Sequence, residues 1–253
     1  MRAAWKALKV FSILGAYFII SLFIRIFIVQ KKKRSCLAKN TSFFSILVLR
    51  ALGVRATIQG RNQLPRDNRS RLLVSNHLSS VDILIISAHM PAVFITSVEL
   101  KNTPLAGWLA AAGGSIFVER RSRAGLKKEI TTVARTLNDG FSVVLFPEGT
   151  TSPGEEVRPF KNSLFDAAIR TDREILPLCI RYRKVNNEDM TARSREAVFY
   201  HKIPFYRHAM GLLSVRSVDV ELVVLESIRP HAQDSRKELA TRAHRAISTA
   251  YHA

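Results

Sequence analysis

The segment Asn76-His77-Leu78-Ser79-Ser80-Val81-Asp82 follows the strand-like run Leu72-Leu73-Val74-Ser75 and precedes an apolar stretch, Ile83 to Ala88. A histidine beside a carboxylate is an acid–base device. The carboxylate accepts a proton from one imidazole nitrogen, fixes the tautomer and leaves the other nitrogen free as a general base. On one continuous helix, five positions would rotate the two side chains about 140° apart. His77 therefore has to precede the helix, with Ser79 as N-cap and Asp82 at the third helical position, folding back over the helix start. Taken alone, Ser79-x-x-Asp82 is equally a capping box, and His77 an ordinary loop residue. The position at a strand's exit favours chemistry, because α/β domains hold ligands at the carboxyl ends of strands.

Two further segments leave strands in the same manner. Val143-Val144-Leu145-Phe146 runs into Pro147-Glu148-Gly149-Thr150-Thr151-Ser152, where the glycine permits close backbone approach and Glu148 is a charge placed straight after an apolar run. Gly114-Ser115-Ile116-Phe117-Val118-Glu119 delivers Arg120 and Arg121, whose planar donor forks suit phosphate. A plain Pro-Glu-Gly turn and a solvated arginine pair are the competing readings.

These segments must be positioned by strands exchanging with helices. Alternating apolar runs predict strands at Arg55 to Gln59, Leu72 to Ser75, Val93 to Ser97, Ser115 to Val118, Ser142 to Phe146, Ile175 to Tyr182 and Val218 to Val224. Helical spacing is clearest from Ser122 to Asn138 and from Asp234 to Ala250. The expected fold is α/β, a single domain with a mostly parallel mixed sheet flanked by helices, covering residues 42–253. Residues 1–41 are expected to form an N-terminal membrane anchor and basic linker. Val10 to Val29 is apolar except for Arg25, is long enough to span a bilayer, and is followed by Lys31, Lys32, Lys33 and Arg34 where a signal peptide would have its cleavage site. Arg25 is expected to snorkel to the headgroups. Three basic residues, Arg2, Lys6 and Lys9, precede the segment and four follow it, which places the domain on the cytoplasmic side of the inner membrane. A helix lying in one leaflet and a buried core helix are the alternatives.

The chain has 253 residues, 39 Lys and Arg against 20 Asp and Glu, a net charge of +19 and 47% apolar residues. That is enough apolar surface for a real core, and the charge calls for an anionic partner. Nucleic acid fits poorly: the basic residues are dispersed, and neither zinc-finger spacing nor an RNA-recognition aromatic motif is present. Anionic membrane lipids fit the anchor. The two cysteines, Cys36 and Cys179, provide no disulfide framework and no paired metal motif.

In order, the segments resemble the glycerolipid acyltransferase family, whose best known members are the 1-acylglycerol-3-phosphate acyltransferases. Asn-His, four residues, Asp is here Asn76, His77 and Asp82; Gly-x-x-Phe-x-x-Arg is Gly114, Phe117 and Arg120; Phe-Pro-Glu-Gly-Thr is Phe146 to Thr150; and an apolar residue before proline in a strand is Leu176-Pro177. The resemblance implies transfer of a fatty acyl group from acyl carrier protein or coenzyme A to a lysolipid hydroxyl, without metal or bound cofactor. His77 would be the base and Asp82 its orienting partner, with Asn76, Gly114, Arg120, Glu148, Gly149 and Thr150 binding substrate and backbone amides near His77 or Gly149 meeting the oxyanion. The acceptor implied first is 1-acylglycerol-3-phosphate. One departure matters: many phosphate-acceptor members have arginine where this chain has Thr151, so either Arg120, Arg158 or Lys161 holds the acceptor phosphate instead or the acceptor lacks a phosphomonoester. The Thr-Thr-Ser form, followed by Arg158-Pro159-Phe160-Lys161, resembles a bacterial branch containing lyso-ornithine lipid acyltransferases, which makes lyso-ornithine lipid the alternative acceptor.

Overall fold

The computed structural model describes the whole chain except residues 65, 66, 68, 104, 120–122 and 232 and the side chains of 31, 123 and 124. Two helices, α1 (Arg2–Phe27) and α2 (Gln30–Leu52), form an antiparallel hairpin and lead into β1 (Val54–Gln59), β2 (Leu72–Ser75), α3 (Val81–His89) and β3 (Val93–Ser97). Then come α4 (Val98–Lys101), α5 (Ala106–Ala112), β4 (Ile116–Val118), α6 (Arg123–Asn138), β5 (Val143–Leu145) and α7 (Asp166–Thr171). The chain closes with β6 (Ile175–Val185), β7 (Glu188–Asp189), α8 (Ala192–Val198), α9 (Phe205–Ser214), β8 (Val218–Val224) and α10 (Arg236–His252).

Among the described residues the sheet order is β1-β8-β6-β2-β5-β3-β4, with the short β7 on β6. Every pairing is parallel except those of β6 with β8 and β7, so the sheet is mixed and mostly parallel, as expected. The central strands are apolar throughout because helices cover both faces. Leu73, Val144, Leu176 and Ile180 pack beneath α2, α3 and α8, while Leu72, Val74, Val143 and Cys179 pack beneath α6, α7 and α10. β6 runs three residues beyond its expected end because β8 keeps pairing with it as far as Val185↔Val218, past an irregularity between Tyr182 and Lys184.

The N-terminal hairpin departs further from expectation. The basic run that reads as a linker is the start of α2, and α2 continues through the expected boundary between residues 41 and 42, burying Val48, Leu49 and Leu52 in the core. No proline or glycine interrupts 30–52, so nothing in the chain breaks that helix. α1 is long and apolar enough to cross a membrane, about 39 Å, yet it is docked on the domain at both ends. The Lys6 ammonium donates to the carbonyls of Leu52 (2.5 Å), Val215 (2.8 Å) and Arg216 (3.2 Å). At the other end the Arg25 guanidinium donates to the Ala111 carbonyl instead of reaching for headgroups. Between them Tyr17 is buried against Phe44, and Asn40 donates to the Ser21 hydroxyl (3.0 Å). The opposite side of α1 exposes Phe11, Ile19, Leu22, Phe23, Ile26 and Phe27.

Charged hydrogen bonds of the Lys6 kind contribute about 1.5–3 kcal/mol each when part-buried. Lys6→Met should therefore raise amide hydrogen exchange over residues 2–10 by about tenfold or more. Unchanged protection would show that the N-terminal end of α1 is held by something other than this ammonium.

Candidate active site

β2 lies between β5 and β6, paired in parallel with each through Leu72↔Val143 and Leu72↔Ile175, so all three strands deliver their exits to one edge. The loop after β2 is fastened on both sides. Asn76 donates to the Ile180 carbonyl (2.9 Å) and accepts the Ile180 N–H (2.8 Å). The His77 carbonyl accepts the Ser152 N–H (2.9 Å), and the Leu78 carbonyl accepts that of Tyr200 (2.9 Å). α3 starts one residue later than expected, with Ser80 as N-cap and Asp82 at the second helical position. The Ser79 hydroxyl accepts the Val81 N–H (3.3 Å) at the helix start and donates to the Val198 carbonyl (2.7 Å).

Asp82 is wholly buried, and it folds back over the helix start. Its Oδ2 accepts the N–H groups of Leu78 (2.6 Å) and Ser79 (2.9 Å) and faces His77 Nδ1 at 2.9 Å. Its Oδ1 accepts the Tyr182 hydroxyl at 2.8 Å. Burial, reinforced by the Asp82 charge, holds the Tyr182 hydroxyl well above its usual range, so it remains a donor. A group surrounded by three certain donors is an acceptor, so the hydrogen between it and the imidazole sits on Nδ1. That leaves Nε2 as the ring's acceptor. The Phe146 ring stacks on the imidazole with centroids 4.0 Å apart and planes at 17°, which fixes the direction of Nε2. The His77 side chain is 16% exposed, enough for a reactant to reach it.

The other residues expected to bind substrate take up varied positions around this pair. Asn76 is 1% exposed with both polar atoms spent on Ile180, so it clamps the loop to β6. Gly114 lies at the start of β4, the opposite end of that strand from the exits, where φ is +76° and Leu37 of α2 covers it. It is a turn residue. Glu148 faces inward, 6% exposed, and accepts the N–H groups of His77 (2.8 Å) and Arg158 (3.3 Å), joining the β2 and β5 exit loops. Gly149 is left-handed at φ +78°, and a methyl group there would come within 2.8 Å of the Lys161 ammonium. Thr150 is exposed. Arg120, with Arg121 and Ser122, lies outside the described residues. The amides of the His77 loop cannot meet an oxyanion as expected: those of 77, 78 and 79 are committed to Glu148 and Asp82.

Thr151 also differs from the picture of an open position lacking its cation. It is 7% exposed, and its hydroxyl donates to the Tyr200 carbonyl. Tyr182 and His208 escaped the sequence reading. His208, 1% exposed, turns Nε2 to the Ser80 hydroxyl (2.8 Å), and burial pushes it down to about 4, so it stays neutral. The available signal was a lone tyrosine ending a long apolar strand; for His208 there was none beyond its type.

Burial, with the Asp82 charge adding to it, pushes Glu148 up to about 7 from 4.5. The folded state holds this proton more tightly than the unfolded chain, so its contribution to stability is complete below the unfolded value and is lost as pH rises through the folded one. The difference is on the order of 3 kcal/mol. Comparing unfolding free energies of wild type and Glu148→Gln, the wild type should lose ground to the variant between pH 4.5 and 7. Parallel profiles would contradict the assignment.

Comparison with known proteins agrees with this geometry. The family model described as Acyltransferase matches residues 55–181. A lyso-ornithine lipid O-acyltransferase of Brucella abortus is 32% identical over 243 residues, covering 92% of this chain and 90% of that protein. A 1-acyl-sn-glycerol-3-phosphate acyltransferase of Neisseria gonorrhoeae is 36% identical over 118 residues, 47% of this chain and 46% of that one. The crystal structure of the 1-acyl-sn-glycerophosphate acyltransferase PlsC of Thermotoga maritima shares the fold, with a TM-score of 0.72 at 22% identity over 99% of this chain and 95% of that chain. A histidine held by a buried carboxylate at the exit of a central strand, within the stretch the family model matches, thus accompanies similarity over nearly the whole length: the chain belongs to the acyltransferase family and is an acyltransferase enzyme.

Proposed function

We infer that this acyltransferase moves a fatty acyl group from a water-soluble thioester, on acyl carrier protein or coenzyme A, to the free hydroxyl of a lysolipid, with lyso-ornithine lipid the preferred acceptor. The observation that carries the chemistry is the His77 Nδ1 to Asp82 Oδ2 contact of 2.9 Å, which leaves Nε2 bare beside an open edge of the sheet. Nε2 takes the proton of the acceptor hydroxyl as its oxygen attacks the thioester carbonyl. The new C–O bond forms, the C–S bond breaks, and the imidazolium returns the proton to the departing thiolate. Asp82 stabilises the transient imidazolium, in the manner of a hydrolase triad whose nucleophile comes from the substrate. No bound cofactor enters the scheme; the thioester is a co-substrate.

The preference for lyso-ornithine lipid reverses the order implied by motif resemblance alone. Thr151 is buried and bonded to the Tyr200 carbonyl, so it offers no cation to a phosphomonoester. The Lys161 ammonium over Gly149 can meet the single carboxylate of an ornithine headgroup as well as a phosphate, so the missing arginine fork is what separates the two acceptors. By sequence, the Brucella relative named for lyso-ornithine lipid is 32% identical over 92% of this chain, while the Neisseria relative named for the phosphate acceptor aligns over 47% of it and the PlsC structure, over 99% of the chain, is 22% identical.

The membrane attachment follows from α1. A helix tied to the domain at both ends does not cross the bilayer on its own; it lies in one leaflet with its exposed apolar side down. The domain then sits on the cytoplasmic surface of the inner membrane, where basic residues meet anionic lipids and the carrier-bound donor is available.

His77→Ala should reduce acyl transfer in isolated membranes by about 10²- to 10⁴-fold while the protein stays folded and membrane-bound; near wild-type rates would remove His77 as the base. Offered lyso-ornithine lipid and 1-acylglycerol-3-phosphate separately, the membranes should show a kcat/KM at least about tenfold higher for the former. The reverse preference would return the phosphate lipid to first place.

A further inference from the structure

Arg181 and Arg183 project from the face of β6 that α10 covers, opposite the face on which α1 packs with Val10, Ile13 and Leu14. With Arg195 of α8, Tyr182, Tyr251 and Gly154 they line a polar cleft of about 210 Å³ where β6 runs past the end of β2, a cleft that draws on both faces because Tyr182 and α8 pack on the α1 side. The cleft is linked to the catalytic pair twice. Tyr182 donates to Asp82, and Gly154 follows two residues after Ser152, whose N–H is bonded to the His77 carbonyl.

The cations are preorganised. Arg181 is 7% exposed and donates to the Ala250 carbonyl (2.8 Å), Gln59 Oε1 (3.0 Å) and Glu221 (2.8 Å). Arg183 shares Glu221, also at 2.8 Å, so one carboxylate serves two guanidinium groups. Arg195 has no ion pair among the described residues; Glu221 stands behind the lining, and the lining itself holds the exposed Glu155 and His252. Buried Arg181 Nε has no hydrogen-bond partner among the described residues. The Tyr251 hydroxyl donates to the Gly154 carbonyl (2.8 Å), which ties the loop wall to α10. Three guanidinium groups against two carboxylates leave a net positive, rigidly built cleft of a size for a small dianion, and planar forks favour phosphate oxygens.

We propose that this cleft holds the phosphate of the phosphopantetheine arm that acyl carrier protein and coenzyme A thioesters share. The donor then enters past the exit end of β6, beside the loop that holds His77, and the lysolipid from the exposed apolar side of α1. The assignment rests on the acyl-transfer reading above.

The test compares wild type with Arg183→Gln/Arg195→Gln in the full-length, membrane-bound protein; Arg181 is left intact because it ties β6 to α10. With acyl carrier protein and coenzyme A donors measured separately, the donor KM should rise about tenfold or more for both while the lysolipid KM stays put. Free 4′-phosphopantetheine should compete with donor better than pantetheine in wild type, and that gap should close in the variant. Equal competition by the two compounds in wild type, an unmoved donor KM, a rise confined to one donor, or a parallel rise in both KM values would each overturn the site. If wild type transfers no acyl group from either donor to any lysolipid, it is the functional reading that fails instead.

Discussion

A single buried carboxylate organises the reactive end of this molecule. Asp82 gathers two amides of its own loop, a tyrosine hydroxyl from β6 and an imidazole hydrogen. An unpaired carboxylate in so dry a place would cost several kcal/mol, so the loop has to close around it. Closure sets the path of the backbone through His77, and that path together with the Phe146 ring aims the imidazole. Catalytic geometry is thus a by-product of solvating one charge with protein groups, and the loop cannot relax without exposing that charge unsatisfied.

The sheet sets the surroundings of this local arrangement. Its exits lie at one edge, α1 exposes apolar side chains on its outer side, and the arginine cleft opens where β6 runs past the end of β2. A lipid hydroxyl and a water-soluble thioester have opposite solvation requirements. The proposed reaction would bring them together at this edge, one from the apolar side of α1 and the other past the arginine cleft.

Much of this was legible in the sequence because strands buried on both faces read as continuous apolar runs; β2, β3 and β8 fall where the residues alone put them. The His77 and Asp82 pairing was legible too, since helical rotation leaves only one way for the two to meet. What misled was residue type without direction. Asn76, Glu148 and Thr151 are polar residues at strand exits, a pattern that suits ligand contact and equally suits fastening loops to one another, and the choice depends on which backbone groups lie within reach. Arg25 and the basic run at the start of α2 suggested a free anchor, because nothing in the sequence announces that Lys6 and Arg25 find carbonyls on the domain. Tyr182 and His208 are contacts between segments distant in the chain, which no local pattern encodes.

The central claim is that Asp82 keeps the imidazole hydrogen on Nδ1, leaving Nε2 as a base. Nitrogen-15 NMR of histidine-labelled protein in membrane mimetic, at a pH where the ring is neutral, reads this tautomer directly. The account predicts a His77 ring protonated at Nδ1 and bare at Nε2. A ring carrying its hydrogen on Nε2 would contradict it.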